Sequence, residues 1–136
     1  RLNVTCPRSV GQIPIYYNRR SSGRRGTQGI YKDGMPITPL YEFGYGLSYA
    51  DFSYSAITLD GSQAADGQIP SFSSSDSITA SISVTNISGV DAKEVVQWYV
   101  TDVASTITRP VKELRHFEKR MIKAGTSEEF QPRLCR

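Results

Sequence analysis

Histidine and cysteine are scarce in this 136-residue chain, and long apolar runs are missing. His116 is the single histidine, and the two cysteines, Cys6 and Cys135, stand near opposite ends. No CxxC or other metal-ligand spacing can be written, so a structural zinc site is excluded. Nothing in the sequence brings the cysteines together, and a Cys6–Cys135 disulfide is not expected. No stretch approaches the roughly 20 apolar residues of a membrane-spanning helix. The chain opens on Arg1 without a secretory leader pattern and reads as the interior of something longer. Only 38% of residues are hydrophobic. That argues against a long buried helix, whereas a half-exposed β-sheet suits a chain rich in Ser, Gly and Tyr.

What charge there is lies unevenly. The formal net charge is +3. Residues 1–50 hold seven Lys/Arg against Asp33 and Glu42, and the remainder holds nine against eleven carboxylates. The excess sits in "NRRSSGRRG" (18–26). A nucleic-acid surface would need an ordered basic face with a groove-fitting helix or interleaved aromatics, and neither pattern is present. A solvated basic loop is the expectation, with no nucleic-acid partner.

Along the chain, "LNVTCP" (2–7) and "IPIYYN" (13–18) read as short extended runs, since Pro7 and Pro14 oppose helix. Residues 19–39 read as loop, including the Asp-Gly turn signal of "KDGMPITP" (32–39). After Tyr49 the text becomes strand-like. "FSYSAITL" (52–59) precedes the turn-rich "DGSQAADGQIP" (60–70). "SITASISVTN" (77–86) puts Ile78, Ala80, Ile82 and Val84 on one face and Ser/Thr on the other, the period of a half-buried strand. "KEVVQWYVTD" (93–102) is apolar on both faces, which predicts a central strand with Trp98 in the core. "KELRHFEKRMI" (112–122) and "KAGTSEEF" (123–130) supply Leu114, Phe117 and one more strand start. The fold class predicted is mainly β, an immunoglobulin-like sandwich. About five strands are recognisable after residue 51, against about seven in a complete sandwich. "FQPRLCR" (130–136) contains a proline and shows no alternation, so the sandwich is expected to be incomplete at its C-terminus.

"PLYEFGYGLSY" (39–49) holds four aromatics and two glycines. Its rings could be a stacking platform for a sugar or base, or the packed joint between parts of a larger protein. Alternation places Tyr41, Phe43 and Tyr45 on one side, and Gly44 and Gly46 allow close backbone approach. Read with the blocks that flank it, the joint is the better reading.

Four blocks, "PRSVGQIPIYYN" (7–18), "PLYEFGYGLSYADFSYS" (39–55), "VTNISGVDAKEVVQWYV" (84–100) and "RPVKELRHFEK" (109–119), resemble in order and spacing the C-terminal part of glycoside hydrolase family 3, which includes β-glucosidases and β-xylosidases. The resemblance implies three regions. Residues 1–18 look like the last strand and exit of an α/β sandwich domain, 19–50 like a linker, and 51–136 like a fibronectin type III-like domain. Cys6 stands where an aromatic is common, Asn3 where proline is common, and Glu42 replaces a frequent proline. The resemblance also implies an extracellular or periplasmic location and a parent acting on β-linked oligosaccharides or aryl glycosides.

Retaining glycosidases need two carboxyl groups about 5–5.5 Å apart. In the family both come from regions upstream of the matching residues, so neither is carried over and no catalytic, cofactor, metal or substrate-binding residue is assigned. The chain's own carboxylates offer no replacement pair. Glu128 and Glu129 are adjacent in a strand and point to opposite faces, while Asp33 and Glu42 lack surroundings suited to acid catalysis. His116 has no motif partner, and Arg109 reads as a loop anchor, hydrogen-bonded to carbonyls. Asn3-Val4-Thr5 and Asn86-Ile87-Ser88 match the glycosylation pattern. The first falls in an expected buried strand and the second in a turn, so Asn86 is the plausible acceptor. Three readings follow. The chain is a non-catalytic segment bracing the catalytic domains of a retaining β-glycosidase, a carbohydrate-binding sandwich module, or a structural, protein-interaction sandwich.

Overall fold

Residues 78–86 form the strand that their alternation predicts, and the rest of one sheet assembles on it. This computed structural model describes residues 1–20, 36–63, 77–102 and 105–134. Asp33, the turn at 33–34, most of the arginine-rich loop and Cys135 therefore lie outside the described residues.

Strand β4, Ile78–Asn86, is central. Ala80, Val84 and Asn86 are buried while Thr79 and its odd-numbered neighbours face outward or lie half-exposed. β1 (Phe52–Tyr54) and β2 (Thr58–Leu59) pair antiparallel with β4. Sequence alternation suggests one strand over 52–59. The structure interrupts it, because three residues (55–57) span the interval that two residues (82–83) span on β4. The surplus residue is a bulge. Ser55 stitches it down, its N–H donating to Ser83 O (2.9 Å) and its Oγ accepting from Ser83 N (3.0 Å). β3 (Ser62–Gln63) folds back on β2 through the Asp60-Gly61 turn.

β7 (Ser127–Phe130) and β8 (Arg133–Leu134) also pair with β4. Both β1 and β7 pair with Val84 and Thr85, so they occupy opposite edges. The register is unbroken from β7 to β8, with Phe130 opposite Ile82 and Leu134 opposite Ile78. Only Pro132 interrupts the ladder, since it has no N–H to give, but its carbonyl accepts from Ala80 N at 3.1 Å. The segment expected to lack alternation thus has it: Phe130, Pro132 and Leu134 are buried, Gln131 and Arg133 exposed. A proline counted as a breaker was hiding the middle inward position.

β5 (Ala92–Val100) and β6 (Glu113–Ile122) form a second, two-stranded sheet. Glu94, Val96 and Trp98 are buried on one face of β5, and Val95, Gln97 and Tyr99 are half-buried. Trp98 is a core residue, as its sequence context predicts. Phe117 is not; it is exposed on β6, and Ile122 fills the buried position instead. The fold is mainly antiparallel β, of fibronectin type III-like sandwich class. Tyr54 on β1 donates its hydroxyl to buried Glu94 on β5 at 2.9 Å, tying a strand of each sheet together.

The chain divides into two compact units. A sheet unit comprises Ser48–Trp98 and Arg115–Arg136, and a clasp unit comprises Arg1–Leu47 and Tyr99–Leu114. Within the sheet unit, Asn86 is a polar keystone. Fully buried, it donates through Nδ2 to Val90 O (2.8 Å) and Ile122 O (3.1 Å), and Oδ1 accepts from Ser88 N (3.0 Å). Both amide hydrogens and the amide oxygen of Asn86 thereby have partners.

Candidate functional site

The clasp unit gathers most residues singled out as candidates for recognition, and hydrogen bonds rather than strands hold it. Residues 2–6 and 40–45 run side by side. Leu2 N donates to Tyr45 O (2.7 Å), Gly44 N to Leu2 O (2.8 Å), Cys6 N to Tyr41 O (2.9 Å) and Leu40 N to Cys6 O (2.9 Å). The expected strand at 2–7 is reduced to a single bridge, Cys6 with Tyr41. Behind it a short 3-10 helix, Val10–Gln12, presents Gln12. This side chain is buried, accepting from Arg8 N (2.6 Å) and donating to Pro36 O (3.0 Å) and Thr38 O (2.9 Å). One amide thus clamps the chain on both sides of residue 37. Sequence reading passed over Gln12, which carries no periodic or motif signal.

The aromatic stretch is divided by a turn. Tyr45 N donates to Glu42 O at 3.1 Å, closing a four-residue turn in which Gly44 has φ +82°. This third position of a type II turn needs a residue without Cβ strain. The turn overrides strand alternation, so the three rings do not share one side as a strand would place them. Tyr41 and Tyr45 pair with each other (centroids 4.9 Å, tilted 33°), while Phe43 stacks on Tyr17 (4.2 Å, 20°). Gly46 fulfils its expected role in close approach, since a Cβ there would lie 3.0 Å from Arg1 Cδ and 3.2 Å from Arg1 Cα.

Tyr17 also meets the edge of Tyr99 (6.0 Å, 73°), and Lys112 Nζ lies 5.1 Å above the Tyr99 ring and 3.7 Å from Glu42. Burial, then Tyr17, then Glu42 raise the Tyr99 phenol above its ordinary value. The 101–111 segment is fastened alongside: Val111 N donates to Arg19 O (2.9 Å), Thr101 Oγ1 to Val111 O (3.0 Å), and Arg20 bridges to Pro110. Arg109, expected to anchor carbonyls, has its Nε 4.0 Å from Asp102 Oδ2, a carboxylate partner.

The remaining candidates are scattered. Glu42 is an exposed partner of Lys112. Glu128 and Glu129 are both exposed on β7; Glu128 lies 3.9 Å from Arg120, and Glu129 accepts from Gln131 at 2.8 Å. His116 is exposed on β6. Among the described residues no three His, Cys, Asp or Glu side chains cluster as a metal site. The two sequons exchange places. Asn3 is exposed, whereas Asn86, the plausible acceptor by sequence, is fully buried because it continues the inward phase of β4. The aromatic pairs are not a coplanar, open platform: Trp98 is buried, Tyr17, Phe43 and Tyr99 are half-buried, and Tyr41 and Tyr45 tilt against each other.

Residues 94–136 match the family described as fibronectin type III-like domain. A putative β-xylosidase from Formosa agariphila is 40% identical over 128 residues, 94% of this chain and 15% of that protein. The periplasmic β-glucosidase of Salmonella typhimurium is 38% identical, covering 92% of this chain and 16% of the relative. A solved β-glucosidase from Listeria innocua in complex with glucose superposes with TM-score 0.80 at 34% identity, over 98% of this chain and 18% of that one. The fibronectin type III-like domain is homologous to the C-terminal region of glycoside hydrolase family 3 β-glucosidases and β-xylosidases. The four sequence blocks take distinct places in the fold. "PRSVGQIPIYYN" supplies the Gln12 clamp and Tyr17, "PLYEFGYGLSYADFSYS" the divided ring pairs and β1, "VTNISGVDAKEVVQWYV" the Asn86 keystone and β5, and "RPVKELRHFEK" Lys112 and β6. In this chain the four blocks thus map onto structural fastenings. The chain spans about 15–16% of the length of these two curated relatives.

Proposed function

We propose that the chain is a non-catalytic segment of a retaining β-glycosidase and that it braces the catalytic domains of its parent. The parent hydrolyses terminal β-D-glucosyl or β-D-xylosyl residues. Residues 1–18 complete the α/β domain, 19–50 link, and 51–136 form the fibronectin type III-like domain. The observation that carries this reading is the alignment of more than nine-tenths of the chain with a small share of β-glucosidases and β-xylosidases. The clasp unit supports it: Val10, Ile13, Tyr16, Leu40 and Leu47 are all exposed there. These are side chains that a contact with another protein surface would cover.

Retention requires a nucleophile and an acid/base about 5–5.5 Å apart; of the carboxylates weighed as a replacement pair, Glu128 lies beside Arg120, Glu129 accepts from Gln131 and Glu42 lies beside Lys112. Purified free of other glycosidases, the 136 residues are expected to leave nitrophenyl β-glucoside and β-xyloside unhydrolysed. Turnover that co-purifies with the chain and disappears on heating would defeat the proposal.

A further inference from the structure

We propose that Asn3, and not Asn86, is the residue of this chain that accepts an N-linked glycan when the chain passes through a eukaryotic secretory pathway. In that reaction an oligosaccharide is transferred from a polyprenyl pyrophosphate donor. The sugar C1–O bond to phosphate breaks, a C1–Nδ2 bond forms, one amide proton is lost, and polyprenyl pyrophosphate leaves. The product must then fold with the sugar in place.

At Asn86 it cannot. The residue has 0% exposure, and both Nδ2 hydrogens are in use, to Val90 O and Ile122 O. A glycosidic bond removes one of these donors, leaves a carbonyl without its partner, and puts a saccharide into the close-packed interior beside Val84 and Ile122. At Asn3 the side chain is exposed and its neighbour Val4 is 56% exposed. The backbone there is already anchored, because Leu2 gives its N–H to Tyr45 and takes one from Gly44. A glycan on Asn3 therefore displaces neither of these backbone hydrogen bonds. Thr5 Oγ1, the sequon hydroxyl, is buried in the folded chain. Transfer accordingly precedes folding, and the fold decides which product survives.

The test is secretion of the full chain from yeast behind a cleavable leader. Soluble product is then treated with a peptide amidase that releases N-glycans in isotopic water, and both sequons are mapped by mass spectrometry. The expected result is occupancy at Asn3, none at Asn86, and complete loss of the glycan in Asn3→Gln without loss of secreted protein. Occupied Asn86 in soluble protein, an empty Asn3, or a chain that is secreted only as Asn3→Gln would each overturn the assignment.

Discussion

The sheet unit and the clasp unit are held together by different forces. Among the described residues, every buried apolar side chain of the chain belongs to the sheet unit: Ala50, Ala80, Val84, Val96, Trp98, Ile122, Phe130, Pro132 and Leu134. The clasp unit buries the polar Gln12 and leaves Val10 81% and Leu47 90% exposed. One unit therefore has a hydrophobic core of its own, the main favourable term in folding. Among its described residues the other has fastenings but no buried large apolar side chain. The difference indicates which part carries the hydrophobic share of the stability within this chain.

The largest expected effect breaks the core. Phe130 is fully buried opposite Ile82, with the Arg120 guanidinium 4.7 Å over its ring. Phe130→Ala removes that packing and leaves a cavity, a loss of about 3–5 kcal/mol. In a small domain this is a large share of the total. Urea denaturation followed by Trp98 fluorescence should show the transition shifted far down or abolished. A midpoint within experimental error of the parent chain would mean that the core does not dominate.

A smaller effect tests whether the units are independent. Gln12→Ala takes the donor from Pro36 O and Thr38 O and the acceptor from Arg8 N. Leaving such groups unsatisfied costs about 1–3 kcal/mol. Amide exchange at Cys6 and Leu40 should accelerate about tenfold or more, while Ala80 and Asn86 keep their protection. Equal acceleration in both sets would show that the two units open as one.

Legibility from sequence divides along the same line. β4 and the buried Trp98 were readable because period-two alternation and half-burial have the same cause. Two failures in the sheet unit came from stopping that count too soon. One more step of the β4 alternation puts Asn86 inside, and counting Pro132 as an inward residue extends β7 into β8. The bulge at 55–57 was not readable, since a surplus residue is defined by the partner strand. In the clasp unit little was available. Gln12 is a lone polar residue whose role depends on carbonyls more than twenty positions away, and the turn at Glu42–Tyr45 redirected rings that alternation had aligned. Glu94, a buried carboxylate bonded to Tyr54, gave no sequence signal at all.

The smallest effect concerns the charge beside the rings. Lys112 and Glu42 are 39% and 66% exposed at the side chain, and at 3.7 Å such a pair contributes about 0–1 kcal/mol, further weakened by salt. A double-mutant cycle with Lys112→Gln and Glu42→Gln should therefore give a coupling near the lower end, vanishing in high salt. Tyr99 reports the same charge more sensitively. Its phenol titrates above 10.0, its ordinary value, because burial, Tyr17 and Glu42 all disfavour the phenolate. The neutral form is the one that folding prefers, so this contribution is complete below that ordinary value and is lost as pH rises through the folded one. Glu42→Gln removes the last-ranked of the three causes. The phenolate absorbance of Tyr99 should then appear at slightly lower pH, yet still above the ordinary value because burial is untouched. A Tyr99 titration that falls fully to the ordinary value in Glu42→Gln would show that charge, and not burial, governs this corner. The contrast between a packed unit and a fastened one would then need redrawing, with electrostatics placed ahead of the rings.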